Sequence, residues 1–193
     1  MVSILSKPGF QQRAMPLSVK AWHHMIAAGL APERAELIRG VIVEKMSKSI
    51  FHTKLTDALI EYLRSVVQGP YWVRQEAPLT LADSEPEPDV SVVAGQRAQY
   101  NAHPATALLV VEVAVSSVAE DREMAAVYAE AEVAEFWLVN GAERCIEIHR
   151  DPVGGRYQTQ LRVAEGGTVE CGSLPGVRMD VSGLFVGIGP VTP

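Results

Sequence analysis

The stretch EPEPDVSVV (residues 85–93), followed by ALLVVEVAV (residues 107–115), predicts two short apolar strands with a carboxylate in or beside each. Asp89 lies at the start of the first strand, and Glu112 lies in the middle of the second. Strand side chains alternate between the two faces of a sheet, and neither face of the second strand is polar. A carboxylate there needs a cation or hydrogen-bond donors, because its desolvation costs on the order of several kcal/mol.

The strands alone leave two interpretations of these acids open. Acidic residues at neighbouring strand positions supply the oxygen ligands that a hard divalent metal ion binds. Alternatively, Asp89 caps a turn after Pro88, and Glu112 faces a water-filled cleft or pairs with an arginine. The first interpretation indicates a metal site, and the second gives the acids a structural role only.

Composition and charge limit the class of protein. A length of 193 residues, with 48% hydrophobic and 21% charged residues, is typical of one globular domain. The net charge of −6 argues against a surface that is basic throughout. The longest apolar run is too short to span a bilayer, and two cysteines offer neither a zinc spacing nor a disulfide framework. The N-terminus has no signal-peptide pattern, so we expect a cytoplasmic protein with no membrane contact.

The order of predicted elements indicates an α+β fold with a mixed central β-sheet flanked by helices. AELIRGVIVEKMS (residues 35–47) predicts either a strand pair or a helix end that enters a strand. Leucines at helical spacing predict a helix over residues 52–68, and residues 72–81 predict a strand. No GxGxxG or GxxxxGK[ST] motif is present, so nucleotide-cradling folds have no local support.

Domain boundaries are expected near both ends of the chain. Residues 1–15 carry no pattern and predict a flexible N-terminal extension. Residues 16–185 then form a single domain, and residues 186–193 form a C-terminal tail. No internal repeat, low-complexity segment or linker divides the chain.

Several motifs follow one another along the chain in a defined order. They are AELIRGVIVEKMS, a histidine that begins a helix at His52, EPEPDVSVV, LLVVEVAVSS, EDREMAAVYAEAEVAEFWLVN and the LPG…LF tail. This order resembles the PD-(D/E)XK nuclease superfamily and, more closely, the bacterial Uma-type family of restriction-endonuclease-like proteins, over about residues 16–185. The resemblance implies a restriction-endonuclease-like fold.

The resemblance also implies an activity and the residues that perform it. Mg²⁺ (or Mn²⁺) would be held by the carboxylates of Asp89 and Glu112 and by the backbone carbonyl of Val113. Glu36 would bind the metal or its waters from the flanking element. His52 would carry a proton or contact a phosphate. The expected reaction is metal-dependent hydrolysis of a DNA phosphodiester, as in an endonuclease. DNA is then the expected partner, and a homodimer is the expected assembly.

The chain departs from the superfamily pattern at one position and from the family pattern at two. The superfamily places a lysine two residues after the second acid, where this chain has Ala114. The Uma-type family places its lysine on the next helix, four residues before Tyr128, where this chain has Met124. Glu132 also replaces the glycine that the family normally has at the end of that helix, so the geometry of the helix end is in question.

All five lysines lie in the first 54 residues, so no lysine after Glu112 can take the missing role. Lys48 and Lys54 lie close to His52 in sequence, and either could reach the cleft. The sequence therefore predicts an endonuclease with a weakened site. The alternative is a catalytically inactive nuclease-fold module that binds nucleic acid or a protein partner.

Overall fold

The structure of the chain, a computed structural model, describes residues 8–189. The predicted extension (residues 1–15) and tail (residues 186–193) lie partly outside the described residues. No helix among the described residues is long and apolar enough to cross a membrane. The helices are α1 (Pro8–Gln11), α2 (Val19–Ala27), α3 (Ile50–Val66), α4 (Val118–Glu130) and α5 (Val181–Leu184). The strands are β1 (Ala35–Ile38), β2 (Val41–Glu44), β3 (Tyr71–Gln75), β4 (Val90–Ala94), β5 (Leu109–Ala114), β6 (Glu135–Asn140), β7 (Cys145–Val153), β8 (Arg156–Ala164), β9 (Thr168–Glu170) and β10 (Arg178–Asp180).

A six-stranded mixed sheet forms the centre of the fold, in the order β3-β4-β5-β6-β7-β8. Only β5 and β6 pair in parallel, and α4 makes the crossover between them. Strands at the middle of such a sheet are covered on both faces, which explains why LVVEVA and EFWLVN are nearly continuous apolar runs. The predicted α+β fold with a mixed central sheet and flanking helices is confirmed.

The two faces of the sheet bury separate apolar clusters. Helix α3 covers one face, where Leu55 and Leu59 pack against the sheet. Helix α4 covers the other face, where Tyr128 packs against Phe136 with ring centroids 5.3 Å apart. Side chains on one strand can therefore reach either helix, according to the face on which they lie.

A β-hairpin of β1 and β2 lies beside the central sheet. The segment predicted as a strand pair or a helix end is the strand pair, with Leu37 opposite Ile42. Arg39 and Gly40 make its turn with φ values of 49° and 72°, the conformation that matches the twist of a two-residue hairpin. Leu37 also bridges to Glu85, so the hairpin lies alongside the segment that leads to Asp89.

Strand β3 is shorter than the sequence predicts. The predicted strand over residues 72–81 ends at Gln75, because Glu76 adopts a φ of 43° that breaks the extended conformation. Residues 76–88 instead form a loop over the sheet, in which Leu79 and Leu81 are buried. This loop delivers Asp89 to the first position before β4.

The end of α4 has the backbone geometry that a glycine would favour. Glu132 follows the helix with a φ of 56°, in the left-handed region. Its amide donates to the carbonyl of Ala129, 3.1 Å away, and its side chain is exposed. The chain therefore keeps the turn of the family's glycine at a cost in backbone strain.

Replacing Glu132 with glycine should relieve this strain. We expect Glu132→Gly to raise the free energy of unfolding by about 1 kcal/mol, measured by urea denaturation. Glu123→Gly is the matched control, because Glu123 is also exposed but lies inside α4. That substitution should lower stability by about 1 kcal/mol. Two changes of the same sign would contradict the assignment of strain to Glu132.

Candidate active site

Strands β4 and β5 bring Asp89 and Glu112 into one site. The pairing of Val90 with Val111 is the last rung between the two strands, and the two acids follow it. The amide of Asp89 donates to Oε2 of Glu112 over 3.1 Å. The amide of Val113 donates to Oδ2 of Asp89 over 2.8 Å. Each carboxylate therefore accepts a backbone amide from the segment that carries the other acid, and these two hydrogen bonds hold the acids together.

Helix α4 completes the environment of Glu112. The hydroxyl of Tyr128 donates to Oε1 of Glu112 over 2.6 Å. Tyr128 lies four residues after Met124, so both lie on one helix face, but no site role was predicted for Tyr128 from the sequence. Burial raises the pKa of the Tyr128 hydroxyl well above its ordinary value, and the negative charge of Glu112 adds to this effect. Tyr128 is thus a hydrogen-bond donor at neutral pH.

His52 reaches the site from α3. The Ser49 side chain accepts the His52 amide at the start of this helix, so the helix begins two residues earlier than predicted. Nε2 of His52 lies 3.0 Å from Oδ2 of Asp89. Nδ1 of His52 lies 3.4 Å from the Thr56 hydroxyl, one helical turn further on. The predicted site histidine is therefore a direct neighbour of the predicted site aspartate.

Lys48 supplies the lysine of the cleft. Its Nζ lies 2.8 Å from Oδ1 of Asp89 and 2.6 Å from Oε1 of Glu76. Burial lowers the pKa of Lys48, but the charges and hydrogen bonds of Asp89 and Glu76 outweigh burial and raise it. Lys48 is therefore positively charged at neutral pH. The side chain of Lys54 is exposed, and Met124 packs against the apolar cluster under α4.

Glu36 lies at the margin of the site. Its Oε2 accepts the amide of Glu87 over 3.1 Å, and Lys45 forms an ion pair with the side chain of Glu87. Burial raises the pKa of Glu36 despite this hydrogen bond. Among the described residues, no hydrogen bond joins Glu36 to Asp89 or Glu112. Glu36 thus contributes charge from the hairpin without joining the carboxylate pair.

Asp121 is an acid near the cleft to which the sequence assigned no site role. The Ser117 hydroxyl donates to its Oδ2 over 2.5 Å at the start of α4. Burial raises the pKa of Asp121, and the negative charge of Asp89 acts in the same direction. Its position at a helix start is also that of an ordinary capping residue, so no sequence signal separates the two roles.

The two central carboxylates have opposite proton affinities. Burial raises the pKa of Asp89, but His52 and Lys48 outweigh burial and hold that pKa below its ordinary value. Burial raises the pKa of Glu112 well above its ordinary value, and the negative charge of Asp89 raises it further. Two carboxylates that share one buried site cannot both ionise without a cost in free energy. The site therefore has more negative charge available than its own cations neutralise.

The donor atoms of this site suit a hard divalent ion. Asp89 and Glu112 offer carboxylate oxygens, which Mg²⁺ and Mn²⁺ prefer. The amide of Val113 faces Asp89, and the carbonyl of an extended residue points the same way as its amide, so this carbonyl faces the cleft. Within residues 8–189, no three His, Cys, Asp or Glu side chains form a ready-made metal site. An ion at the pair would take its further ligands from the Val113 carbonyl and from water.

The raised pKa of Glu112 predicts a pH-dependent effect of Glu112→Gln. Below the ordinary pKa of 4.5, Glu112 is protonated in both folded and unfolded chains and costs nothing. As the pH rises through the folded-state pKa, the native chain loses stability, whereas glutamine cannot ionise. We therefore expect the melting temperature of the variant to exceed that of the native chain increasingly as the pH rises above 4.5.

The measurement is thermal unfolding in the presence of a chelator, where each kcal/mol corresponds to a shift of about 2–4 °C. Glu123→Gln, on the exposed face of α4, serves as the control and should show no such trend. A stability gain that is constant across the pH range would contradict a raised pKa for Glu112.

Comparisons with known proteins agree with this architecture. A crystal structure of a protein from Anabaena variabilis, described as a "putative nuclease belonging to DUF820", superposes with a TM-score of 0.75. The match covers 89% of this chain and 98% of that protein at 17% identity, which establishes a shared fold. A search of curated protein sequences finds no match. The model of the Uma2 family, described as "Putative restriction endonuclease", matches residues 24–182, more than half of the chain. The resemblance found in the sequence is confirmed, and the chain belongs to the Uma2 family.

Proposed function

We propose that the chain is a metal-dependent endonuclease that hydrolyses DNA phosphodiesters, with Lys48 in the role of the absent helix lysine. The observation that carries this proposal is the ion pair between Lys48 Nζ and Asp89 Oδ1, at 2.8 Å. This ion pair places a lysine beside the carboxylate pair. The position at which the family has its lysine is occupied by Met124 in this chain. The family description supports nucleic acid as the substrate class, and its restriction enzymes suggest DNA.

Asp89, Glu112 and the Val113 carbonyl are the groups that would hold Mg²⁺ or Mn²⁺. The bound ion would lower the pKa of a water molecule and offset negative charge on the phosphodiester. The protein's part is to keep both carboxylates fixed, through the Val113 amide, the Tyr128 hydroxyl and the Asp89 amide. These donors fix the two side chains before any ligand arrives, so little reorganisation is needed.

Lys48 would act as a charge and not as a base. Its raised pKa keeps the ammonium protonated, so it cannot accept a proton from water at neutral pH. A protonated lysine at this place would stabilise negative charge that develops on the phosphate oxygens. Glu76, 2.6 Å from the ammonium, would hold it beside Asp89.

His52 and Glu36 would have supporting roles. His52 lies 3.0 Å from Asp89 and is close enough to carry a proton or to contact a phosphate. Glu36 adds a half-buried carboxylate from the hairpin, whose effect on an ion would pass through water. Two such sites in one assembly can cut both strands of a duplex together, and we therefore propose a homodimer as the active assembly.

One observation favours a catalytically inactive binding module instead. Met124 is half-buried against the apolar cluster under α4, so the family's lysine position has become part of the core. If Lys48 only neutralises Asp89, the chain would keep the nuclease fold and bind nucleic acid without cutting it. The experiments below separate these two functions.

Metal binding is the first test. Calorimetric titration with Mn²⁺ and with Mg²⁺ should show one class of site in the native chain, and Asp89→Ala should abolish it, because it removes a ligand and the partner of Lys48. Asp57→Ala is the matched control, since Asp57 is exposed on α3. Absence of binding in the native chain, with DNA added as well as without, would contradict the proposal.

The role of Lys48 is tested by nicking of supercoiled plasmid DNA. Lys48→Met should lower the rate by a factor on the order of 10²–10³, the typical loss for one charge-stabilising group. The Kd for Mn²⁺ should stay unchanged or decrease, because the variant frees an oxygen of Asp89. Lys54→Met is the matched control and should cut at the native rate, since Lys54 is exposed.

A second variant returns the lysine to the family's position. Residue 124 lies one helical turn before Tyr128, whose hydroxyl reaches Glu112. The double variant Lys48→Met/Met124→Lys should therefore regain part of the lost rate. Native-like cutting by Lys48→Met would exclude a role for Lys48. DNA binding without cutting by the native chain, in both metals, would favour the inactive module.

A further inference from the structure

A second cleft opens beside the carboxylate site, at the β3 edge of the sheet. It has a volume of about 450 Å³, and aromatic and basic side chains dominate its lining. Trp72 and Arg74 come from β3, while Tyr100 and His103 come from the connection between β4 and β5. Neither the carboxylate pair nor the proposed reaction uses any of these four side chains.

Arg74 is a buried cation whose hydrogen bonds are incomplete. The residue is only 2% exposed. Its Nη2 donates to the carbonyl of Pro78 over 2.8 Å and lies 3.2 Å from Nδ1 of His103. Its Nε and Nη1 have no hydrogen-bond partner within residues 8–189, and no described carboxylate forms an ion pair with it. Burying an arginine in this state is costly, so the cleft lacks an anionic or acceptor group.

Ser91 is a second buried residue with an unpartnered polar group. It lies directly opposite Arg74 in the β3–β4 ladder, so both side chains lie on one face of the sheet. Its Oγ is buried and has no partner among the described residues, but Ser91 does not line the cleft. Arg74 is therefore the residue that lines the cleft with unsatisfied donors, which are rare in a folded interior.

Two aromatic rings lie beside these polar groups. The ring centroids of Trp72 and Tyr100 are 5.5 Å apart, and both residues are half-buried. The guanidinium carbon of Arg74 lies 5.0 Å from the centre of the Trp72 ring. Aromatic rings next to an arginine are the arrangement on which single-stranded nucleotides stack.

The nearby acid does not neutralise Arg74. Oε1 of Glu85 already accepts hydrogen bonds from Nε2 of His23 and from the hydroxyl of Thr80, each over 2.7 Å. His23 and Thr80 both line the cleft, whereas Glu85 does not, and its carboxylate is engaged by these two side chains. The unpartnered donors of Arg74 are therefore left for a ligand.

We infer that this cleft binds a nucleotide, with its phosphate on Arg74 and its base against Trp72 and Tyr100. Arg74 lies opposite Ser91, which is two residues from Asp89, a distance of about 7 Å, so the cleft lies next to the carboxylate site. The nucleotide can come from a nucleic-acid strand or from a free mononucleotide. Its assignment to a substrate strand rests on the proposed nuclease function.

Tryptophan fluorescence tests the inference in a chelator, so that divalent metal and cutting play no part. The probes are thymidine 5′-monophosphate, thymidine, inorganic phosphate and a single-stranded oligothymidylate. The monophosphate should quench the emission with saturation and should bind more tightly than thymidine or phosphate alone. Trp72→Phe should abolish the quenching, because Trp22 and Trp137 are buried elsewhere. Arg74→Gln should weaken binding roughly tenfold or more, as expected for lost hydrogen bonds to a charged group.

Arg156→Gln is the matched control, since Arg156 is exposed on β8 at the opposite edge of the sheet, and it should bind as the native chain does. If Arg74→Gln fails to fold, Tyr100→Leu tests the aromatic half of the cleft and should also weaken binding. Binding of the oligonucleotide alone would identify a strand as the source, and binding of the monophosphate alone would identify a free nucleotide. Either outcome supports the cleft even if the chain cuts no DNA.

Three outcomes would overturn the inference. The first is that neither the monophosphate nor the oligonucleotide binds. The second is that Arg74→Gln binds both as tightly as the native chain. The third is that phosphate binds as tightly as the monophosphate, which would remove the role of the rings.

Discussion

The site depends on the end of the β4–β5 pairing, where two carboxylates accept backbone amides. The last paired residues of β4 and β5 are Val90 and Val111. Beyond this pair, the carboxylate of Glu112 accepts the amide of Asp89, and the carboxylate of Asp89 accepts the amide of Val113. These hydrogen bonds hold both side chains against the backbone. The same two groups therefore link the ends of the strands and form the carboxylate pair of the cleft.

Charge is the second constraint, because two acids in a buried place require cations. His52 and Lys48 outweigh burial at Asp89, and its pKa falls. Burial and the charge of Asp89 outweigh the neutral donors of Glu112, and its pKa rises. The difference follows from geometry, since α3 and the loop before it reach only the Asp89 side. Glu112, which faces Tyr128 of α4, is left as the acid whose ionisation an added cation would favour. The asymmetry explains why the site suits one more positive charge.

Much of the fold and part of the site could be predicted from the sequence. Strand alternation placed Glu112 among apolar neighbours, helix signals placed His52 in a first turn, and the family resemblance placed that histidine near the cleft. The sequence could not show whether Lys48 or Lys54 enters the cleft, because this depends on the path of the loop between the hairpin and α3. The early end of β3 was missed because a positive φ at Glu76 has no signal in its residue type. Arg74 gave no signal either, since burial depends on the loop that covers it.

Lys48 also bears on how relatives of this chain should be grouped. The ammonium enters the cleft from the segment before α3, while the residue at the usual alignment column faces apolar side chains. A comparison made column by column would class this chain with those that have lost the lysine. A comparison of charges in space would class it with those that have kept one. An alignment column shows that the residue at position 124 changed. The charges around Asp89 show that a lysine still lies beside this carboxylate.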